Sequence, residues 1–380
     1  MARRSLLDHF ADLPDPRVDR SKRHRLDDIL LIALTALLCR ATTFEEIADF
    51  GEAYEPFFRR FLTLPHGIPS HDTIYRVLCA LNRKVFADCF GRWVADWSET
   101  LGVKQVAIDG KSLRGAKGPT FSGCVHLVGA WATESGLLLG QEAVADKSSE
   151  ATAIPALLAT LHLKGTLVTI DAAGCSPAIC QHIRDQQGDY LLAVKDNQPT
   201  LHDAVKQVFA DACETDFANV ESSQHATVED GHGRHEERYV TVIENPKGLP
   251  DKWPDVAAVI QVNREREVKG VNTTTTHYYL TSRRKTAKEN PKARAKALGG
   301  YVRRHWAVEN ELHWVLDVTF GEDAHRTADK NAAANLGIIR RTAVSLLQQN
   351  DFKGSAKRKA YRASIMPQYL LELLQGNTVI

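Results

Sequence analysis

The hydrophobic positions of this chain change their period twice. Up to about residue 98 apolar residues recur at helical spacing, and the run Leu26 to Cys39, after the polar stretch Asp19 to Arg25, predicts a buried helix. Thr43-Phe44-Glu45-Glu46 has the form of a capping box opening a second helix, which Pro56 interrupts or ends. Ser70 or Asp72 caps a third, running to Leu78. From Lys104 the pattern turns to short β-branched runs. Gln105–Asp109, Val125–Thr133 and Leu137–Val144 predict three consecutive strands, with Glu134-Ser135-Gly136 as the last turn. A helix at Ala151–Leu161, a strand at Thr166–Asp171, a helix at Pro177–Gln187 and a strand at Tyr190–Lys195 follow. Three antiparallel strands and then β-α-β units describe an α/β layer on a mixed sheet, with Asp109 and Asp171 on adjacent strands.

Residues from about 203 to 290 read as a β-rich insertion, with strands at Arg238–Ile243, Val256–Asn263 and Tyr278–Thr281 after a Gly-rich turn, Asp230 to His235. His232 and His235 have a zinc-like spacing but lack a second ligand pair, so a polar turn is the expectation. Helix returns from about Ala293 through Trp314, and again at Asn331–Gln348 and Met366–Leu374.

Composition narrows the class. At 380 residues, 43% hydrophobic and 25% charged, the chain is long enough for two or three globular domains. Its longest apolar run, the eleven residues Ile29 to Cys39, is too short to span a bilayer, and the first residues carry no signal-peptide pattern, so export is not expected. Seven scattered cysteines without a Cys-x-x-Cys pair suit reduced thiols in a cytoplasm, and Cys175 reads as a small buried hydrophobe rather than a nucleophile. The net charge of +1 hides asymmetry. Arg283 to Arg304 holds nine Lys/Arg against one acid, and Arg326 to Arg362 holds nine against two. Basic blocks bracketing an acidic site suit a polyanion.

The candidate chemistry lies where apolar runs meet acids. Val106-Ala107-Ile108 ends in Asp109, Leu167-Val168-Thr169-Ile170 ends in Asp171, and Glu309 lies in a helical segment. One such Asp usually closes a strand and opens a turn. Three together can supply oxygen ligands to hard cations such as Mg²⁺. Two ions roughly 3.5–4 Å apart activate water on one side of a phosphodiester and stabilise the leaving oxygen on the other. His305, Glu309 and His313, four apart, share a helix face, so the histidines can position phosphate or water, or be ordinary helix-surface residues. Glu311 is the competing acid. The Ser70–Leu78 segment, with His71 and Arg76, resembles the start of a recognition helix; an ordinary packing helix is the alternative.

These residues sit in a wider set of motifs: Asp15-Pro16-Arg17, Gly67-Ile68-Pro69-Ser70-His71-Asp72-Thr73, Ile108-Asp109-Gly110-Lys111, Ile170-Asp171-Ala172, Ala193-Val194-Lys195-Asp196-Asn197-Gln198, Gly231-His232-Gly233-Arg234 and His305-Trp306-Ala307-Val308-Glu309-Asn310, continued by Leu312 to Phe320. Over nearly its whole length the chain resembles DDE-type insertion-sequence transposases of the H-repeat-associated group. The resemblance implies an α/β, ribonuclease-H-like catalytic core at 99–350, with the β-rich insertion at about 203–290. It also implies an all-helical N-terminal domain at 1–98, suited to DNA binding, and a basic helical tail at 351–380. Asp109, Asp171 and Glu309 are then the catalytic, metal-binding triad for Mg²⁺, with Mn²⁺ as substitute.

The implied activity is cleavage at the ends of a mobile element and strand transfer into target DNA. Double-stranded DNA is the partner, a homodimer forms in the DNA complex, and no membrane is involved. The implied location is cytoplasmic, on the nucleoid when DNA is bound. Related transposases place Tyr and Arg before the Glu and Lys after it. Here His305 stands four before Glu309, Val302 seven before and Leu316 seven after. Arg304, His305 and Lys195 are therefore the expected substitutes for phosphate contact, within a DNA-binding set of Lys195, Asn197, Arg304, His305, His313, Arg76 and His71. A ribonuclease-H-like nuclease that stops after hydrolysis and a DNA-binding regulator descended from a transposase are the rival readings.

Overall fold

Strand β1 (Gln105–Leu113) and strand β4 (Leu167–Ile170) pair in parallel, Gln105 opposite Leu167 and Ile108 opposite Ile170. This register, in a computed structural model that describes residues 4–117, 124–144, 150–231, 233–287 and 289–380, sets the frame for the acidic residues. The chain divides into two compact units. One comprises residues 1–103, 109–161 and 307–380; the other comprises 104–108 and 162–306.

The first unit is built on α12 (Lys330–Gln348), buried at every position from Ala332 to Leu347. Around it pack α2 (Leu26–Leu38), α5 (His71–Ala80), α6 (Arg83–Leu101) and the strands β2 (Val125–Ala132) and β3 (Leu137–Ala143). α2 is buried at all thirteen positions, ten of them apolar, and of its polar residues Thr35 donates to the carbonyl of Leu31. The Asn335 amide, itself fully buried, donates to the carbonyls of Leu78 and Leu81 and so ties α12 to the end of α5. The expected caps are present. Thr43 and Glu46 form the capping box of α3 (Phe44–Ala53), and the Ser70 side chain accepts from Thr73 N at the start of α5. Pro56 lies in the first turn of α4 (Glu55–Phe58), at the break after α3. The remaining helices of this unit are α1 (Leu6–Ala11), α7 (Glu150–Leu158), α11 (Trp314–Val318), α13 (Ala356–Ile365) and α14 (Pro367–Gly376). Sequence periodicity had not marked α13, whose mostly polar stretch buries only Lys359, Ala360 and Ala363.

In the second unit β4 is followed in the sheet by β5 (Asp189–Val194), again parallel, and then by β9, β8, β7 and β6, all antiparallel. These last four are Val271–Thr281, Ala258–Val268, Arg234–Glu244 and Ser222–Gly231. Helices α8 (Pro177–Asp185), α9 (Pro199–Glu214) and α10 (Pro291–His305) complete the unit. Val302 and Leu298 of α10 pack on Val240, Ile260, Val262 and Tyr279 in one core. Antiparallel β2 and β3 in the first unit, and parallel β1, β4 and β5 in the second, are the elements of the α/β, ribonuclease-H-like core the sequence leads one to expect.

Three details differ from expectation. Residues 199–214 are helical, because Leu201, Val205, Phe209 and Ala212 form one buried face at a spacing hidden among polar neighbours. The insertion strands run several residues past their apolar cores, where backbone pairing continues but Val271 to His277 is exposed. The long helix expected through Trp314 is interrupted: α10 ends at His305, Trp306 is its C-cap, and Glu309–His313 forms a π turn.

Burial of charge makes one stability prediction. Arg294 is fully buried and its guanidinium donates to both carboxylate oxygens of Glu244, at 2.7 and 3.2 Å, and to the carbonyl of Arg283. Arg294→Ala leaves that carboxylate buried without its bidentate partner and should cost about 3–5 kcal/mol in denaturant unfolding. A loss below about 1 kcal/mol would show that water or Arg283 compensates.

Candidate metal centre

Asp109 follows Ile108 on β1, and Asp171 follows Ile170 on β4; Ile108 and Ile170 are register partners in the second unit. In the first unit Asp109 meets Glu309 and His313, and one ligand atom from each lies within 4.8 Å of the other two. His313 Nδ1 is 3.6 Å from Asp109 Oδ2 and 3.4 Å from Glu309 Oε2. Asp109 Oδ1 accepts from Gly110 N. Glu309 and His313 are the two ends of the π turn, an irregularity that often marks functional sites. The Glu309 side chain is half exposed, whereas His313 is buried. Burial pushes the His313 imidazole down to about 3, with help from Arg341 and Lys111, so it is neutral and keeps a nitrogen lone pair. Two carboxylates and a neutral imidazole are a donor set that fits a divalent cation.

Ion pairs hold this cluster in place. Lys111 lies two residues beyond Asp109 on β1, hence on the same side of the strand. Its Nζ is 2.8 Å from Asp317 Oδ1, 3.2 Å from Asp323 Oδ1 and 3.7 Å from Glu322 Oε2. Glu322 is buried and accepts from Arg341 of α12 at 2.6 Å. Gly110 lies between Asp109 and Lys111, where any Cβ would collide with Glu150 and His126, which are hydrogen-bonded to each other. Lys111 stands in a motif read from sequence, but its role was not legible, since no periodicity marks a buried lysine. Glu322 and Arg341 gave no signal beyond their charge.

The other expected residues fall into three groups. Asp171 lies in the second unit, where its Oδ1 accepts from Ala173 N and caps a short 3₁₀ turn, Ala172–Gly174. Asn197 donates to the carbonyl of Ala172 and Gln198 to that of Cys175, so Asn197 braces the loop after Asp171. Lys195 is exposed. The Arg304 guanidinium stacks over Tyr301, 4.9 Å from its centroid, and donates to Gln105. On α5, Arg76 is exposed and paired with Asp72, and His71 is exposed beside the same carboxylate.

Two readings need correction. The single helix expected to carry His305, Glu309 and His313 on one face is interrupted, because α10 ends at His305; that ring is buried, with Nδ1 3.0 Å from the Thr169 hydroxyl. The basic blocks are also less superficial than their composition suggests. Arg294, Arg340, Arg341 and Lys359 are buried, Lys359 donating to the carbonyls of Leu347 and Asn350. Of the His232/His235 pair, His232 lies outside the described residues, and His235 is paired with Asp230 and Glu237. Cys175 is buried, which pushes its thiol up to about 12. Among the described residues no helix is long and apolar enough to cross a membrane.

Asp109 on β1 and Glu309 on the π turn bring two acids together, and comparison with known proteins shows the family to which this chain belongs. The family described as "Transposase DDE domain" matches residues 102–346, and that described as "DDE_Tnp_1-associated" matches residues 7–94. The chain belongs to the DDE transposase family. It is 36% identical to "Putative transposase YncI" of Escherichia coli O157:H7, over 98% of this chain and 95% of that one. It is 34% identical to "H repeat-associated putative transposase YhhI" of Escherichia coli K12, over 99% of each. Among solved structures, a piggyBac transposase synaptic complex with hairpin DNA aligns with 97% of this chain at 9% identity and a TM-score of 0.41, too distant to add to the sequence evidence.

The buried His305 generates a pH prediction. Burial pushes it down to about 4 from an unfolded value near 6.5. The unfolded chain therefore binds this proton first as pH falls. The stability contributed by a neutral His305 is complete above about pH 6.5 and is lost between there and pH 4, on the order of 3 kcal/mol. Urea unfolding at pH 7 and pH 4.5 should reveal this loss, and His305→Leu should flatten it. An unchanged pH slope in that variant would assign the acid sensitivity to other groups.

Proposed function

We propose that this chain cuts DNA at the ends of an insertion element and joins the freed 3′-hydroxyl to target DNA. Asp109, Asp171 and Glu309 are assigned as the acids that hold divalent metal. The observation that carries this reading is the clustering of Asp109 with Glu309 and His313, in a chain of the DDE family. Asp171 joins the assignment through the strand register, since its preceding residue pairs with the one preceding Asp109. Mg²⁺ is the expected ion and Mn²⁺ its substitute; when bound, such ions activate water and neutralise charge on the leaving oxygen. The carboxylates fix where the ions sit, and the Lys111 network keeps Asp109 turned towards the π turn.

Exposed Lys195 and the Tyr301-stacked Arg304 are assigned to phosphate contact, and Arg76 and His71 of α5 to duplex contact. Double-stranded DNA is the substrate, a homodimer holds two ends together, and the protein works in the cytoplasm on the nucleoid.

Asp109→Asn and Asp171→Asn should each lower cleavage of an element-end duplex by about a thousandfold, equivalent to several kcal/mol of lost transition-state stabilisation, with end binding largely intact. Glu311→Gln should remain active. Undiminished cleavage by either Asp variant would remove the mechanism.

For DNA binding, Arg304→Ala should lower the slope of log affinity against log salt by about 0.9 and weaken all sequences alike. Arg76→Ala should instead reduce discrimination between element-end and unrelated duplexes by about 1–3 kcal/mol if α5 reads bases. No change in that ratio would leave α5 as a packing helix.

A further inference from the structure

We propose that His313 is itself a ligand of the metal centre, adding an imidazole nitrogen to the carboxylates of Asp109 and Glu309 and biasing the centre towards Mn²⁺ and other transition ions over Mg²⁺. The inference rests on the metal-dependent reading above.

Two observations carry it. First, His313 Nδ1 faces both carboxylates at 3.4 and 3.6 Å, longer than an N–H···O hydrogen bond. Two ligand atoms each about 2.1–2.2 Å from one ion lie roughly 3.0–3.5 Å apart, so this spacing is closer to that of a ligand set than to that of a bonded ion pair. Second, the ring is placed rather than free. It is buried at the end of the π turn, in the segment that continues into α11. Lys111, paired with Asp317 and Asp323, and Arg341, paired with Glu322, fix the scaffold on which this segment sits.

The chemical consequence follows from ligand type. Oxygen-only sites suit Mg²⁺, which keeps several waters, whereas an imidazole nitrogen favours transition ions. A centre of two carboxylates and one imidazole therefore gains affinity for Mn²⁺ more than for Mg²⁺.

The test uses the full-length protein with Mn²⁺ alone as probe. Pulsed electron paramagnetic resonance of the bound ion should give nitrogen-14 modulation in the unaltered protein. The modulation should vanish in His313→Ala and in His313→Gln, the second retaining side-chain bulk should the first not fold. Calorimetric titration of the same proteins should show Mn²⁺ affinity falling by about tenfold or more, and Mg²⁺ affinity by much less. Mn²⁺ bound by the unaltered protein without nitrogen modulation overturns the proposal, as does modulation that persists in either folded variant. If Asp109→Asn abolishes Mn²⁺ binding while the unaltered protein gives no nitrogen signal, the metal-dependent reading stands and only His313 is removed. If Asp109→Asn binds Mn²⁺ as the unaltered protein does, or neither binds it, both fall.

Discussion

Everything proposed for the first unit depends on the charge held by Lys111. Its ammonium is nearly buried among Asp317, Glu322 and Asp323, while Arg341 reaches Glu322 from the central helix α12. Buried charges are costly unless their partners are correctly placed, so the network admits few alternative arrangements. One end is fixed to β1, two residues past Asp109; the other is fixed to the segment that follows Glu309 and His313. The network thus sets the spacing between ligands it does not touch. Its cations also help keep His313 neutral. Architecture and electrostatics meet here, and the Glu309 carboxylate can be half exposed while Glu322 and Arg341 behind it are buried.

Much of the fold is legible in the chain itself, for reasons that can be named. β1, β4 and β5 are short β-branched or aliphatic runs buried along most of their length, the pattern of strands in a covered parallel sheet. Capping residues such as Thr43 and Ser70 mark helix starts because their side chains satisfy backbone donors locally. What stays hidden depends on tertiary context. No Pro or Gly breaks the stretch from His305 to Val318, so the π turn leaves no local trace. The acids Asp109, Asp171 and Glu309 could be picked out because they end or interrupt apolar patterns and match a family motif. Lys111, Glu322 and Arg341 could not, since a charged letter does not say whether its side chain will be buried.

The same limit applies to net charge. Arg294, Arg340, Arg341 and Lys359 inflate the apparent basic blocks, yet each is buried within its own unit. Two of them, Arg294 and Arg341, neutralise the buried carboxylates Glu244 and Glu322. Counting residues along the chain therefore overstates the field available to a polyanion. Exposed or half-exposed residues such as Lys195 and Arg304 contribute to that field more directly than the buried ones.

The ladder from β9 to β6 carries a consequence of a different kind. β9 joins β5 through Leu191 to Val194 only, and β8 and β9 then continue outward to a two-residue turn, Lys269-Gly270, with positive φ at both. The outer rungs, from Asn263 opposite Thr276 to Val268 opposite Val271, bury no shared core. Residues can be added or lost there two at a time on each strand, keeping every inner side chain on its face. At about 3.4 Å per residue, each such step lengthens or trims the ribbon by roughly 7 Å. Ribbon length is thus free to drift in descendants of this chain, while the strands that carry the acids stay unchanged.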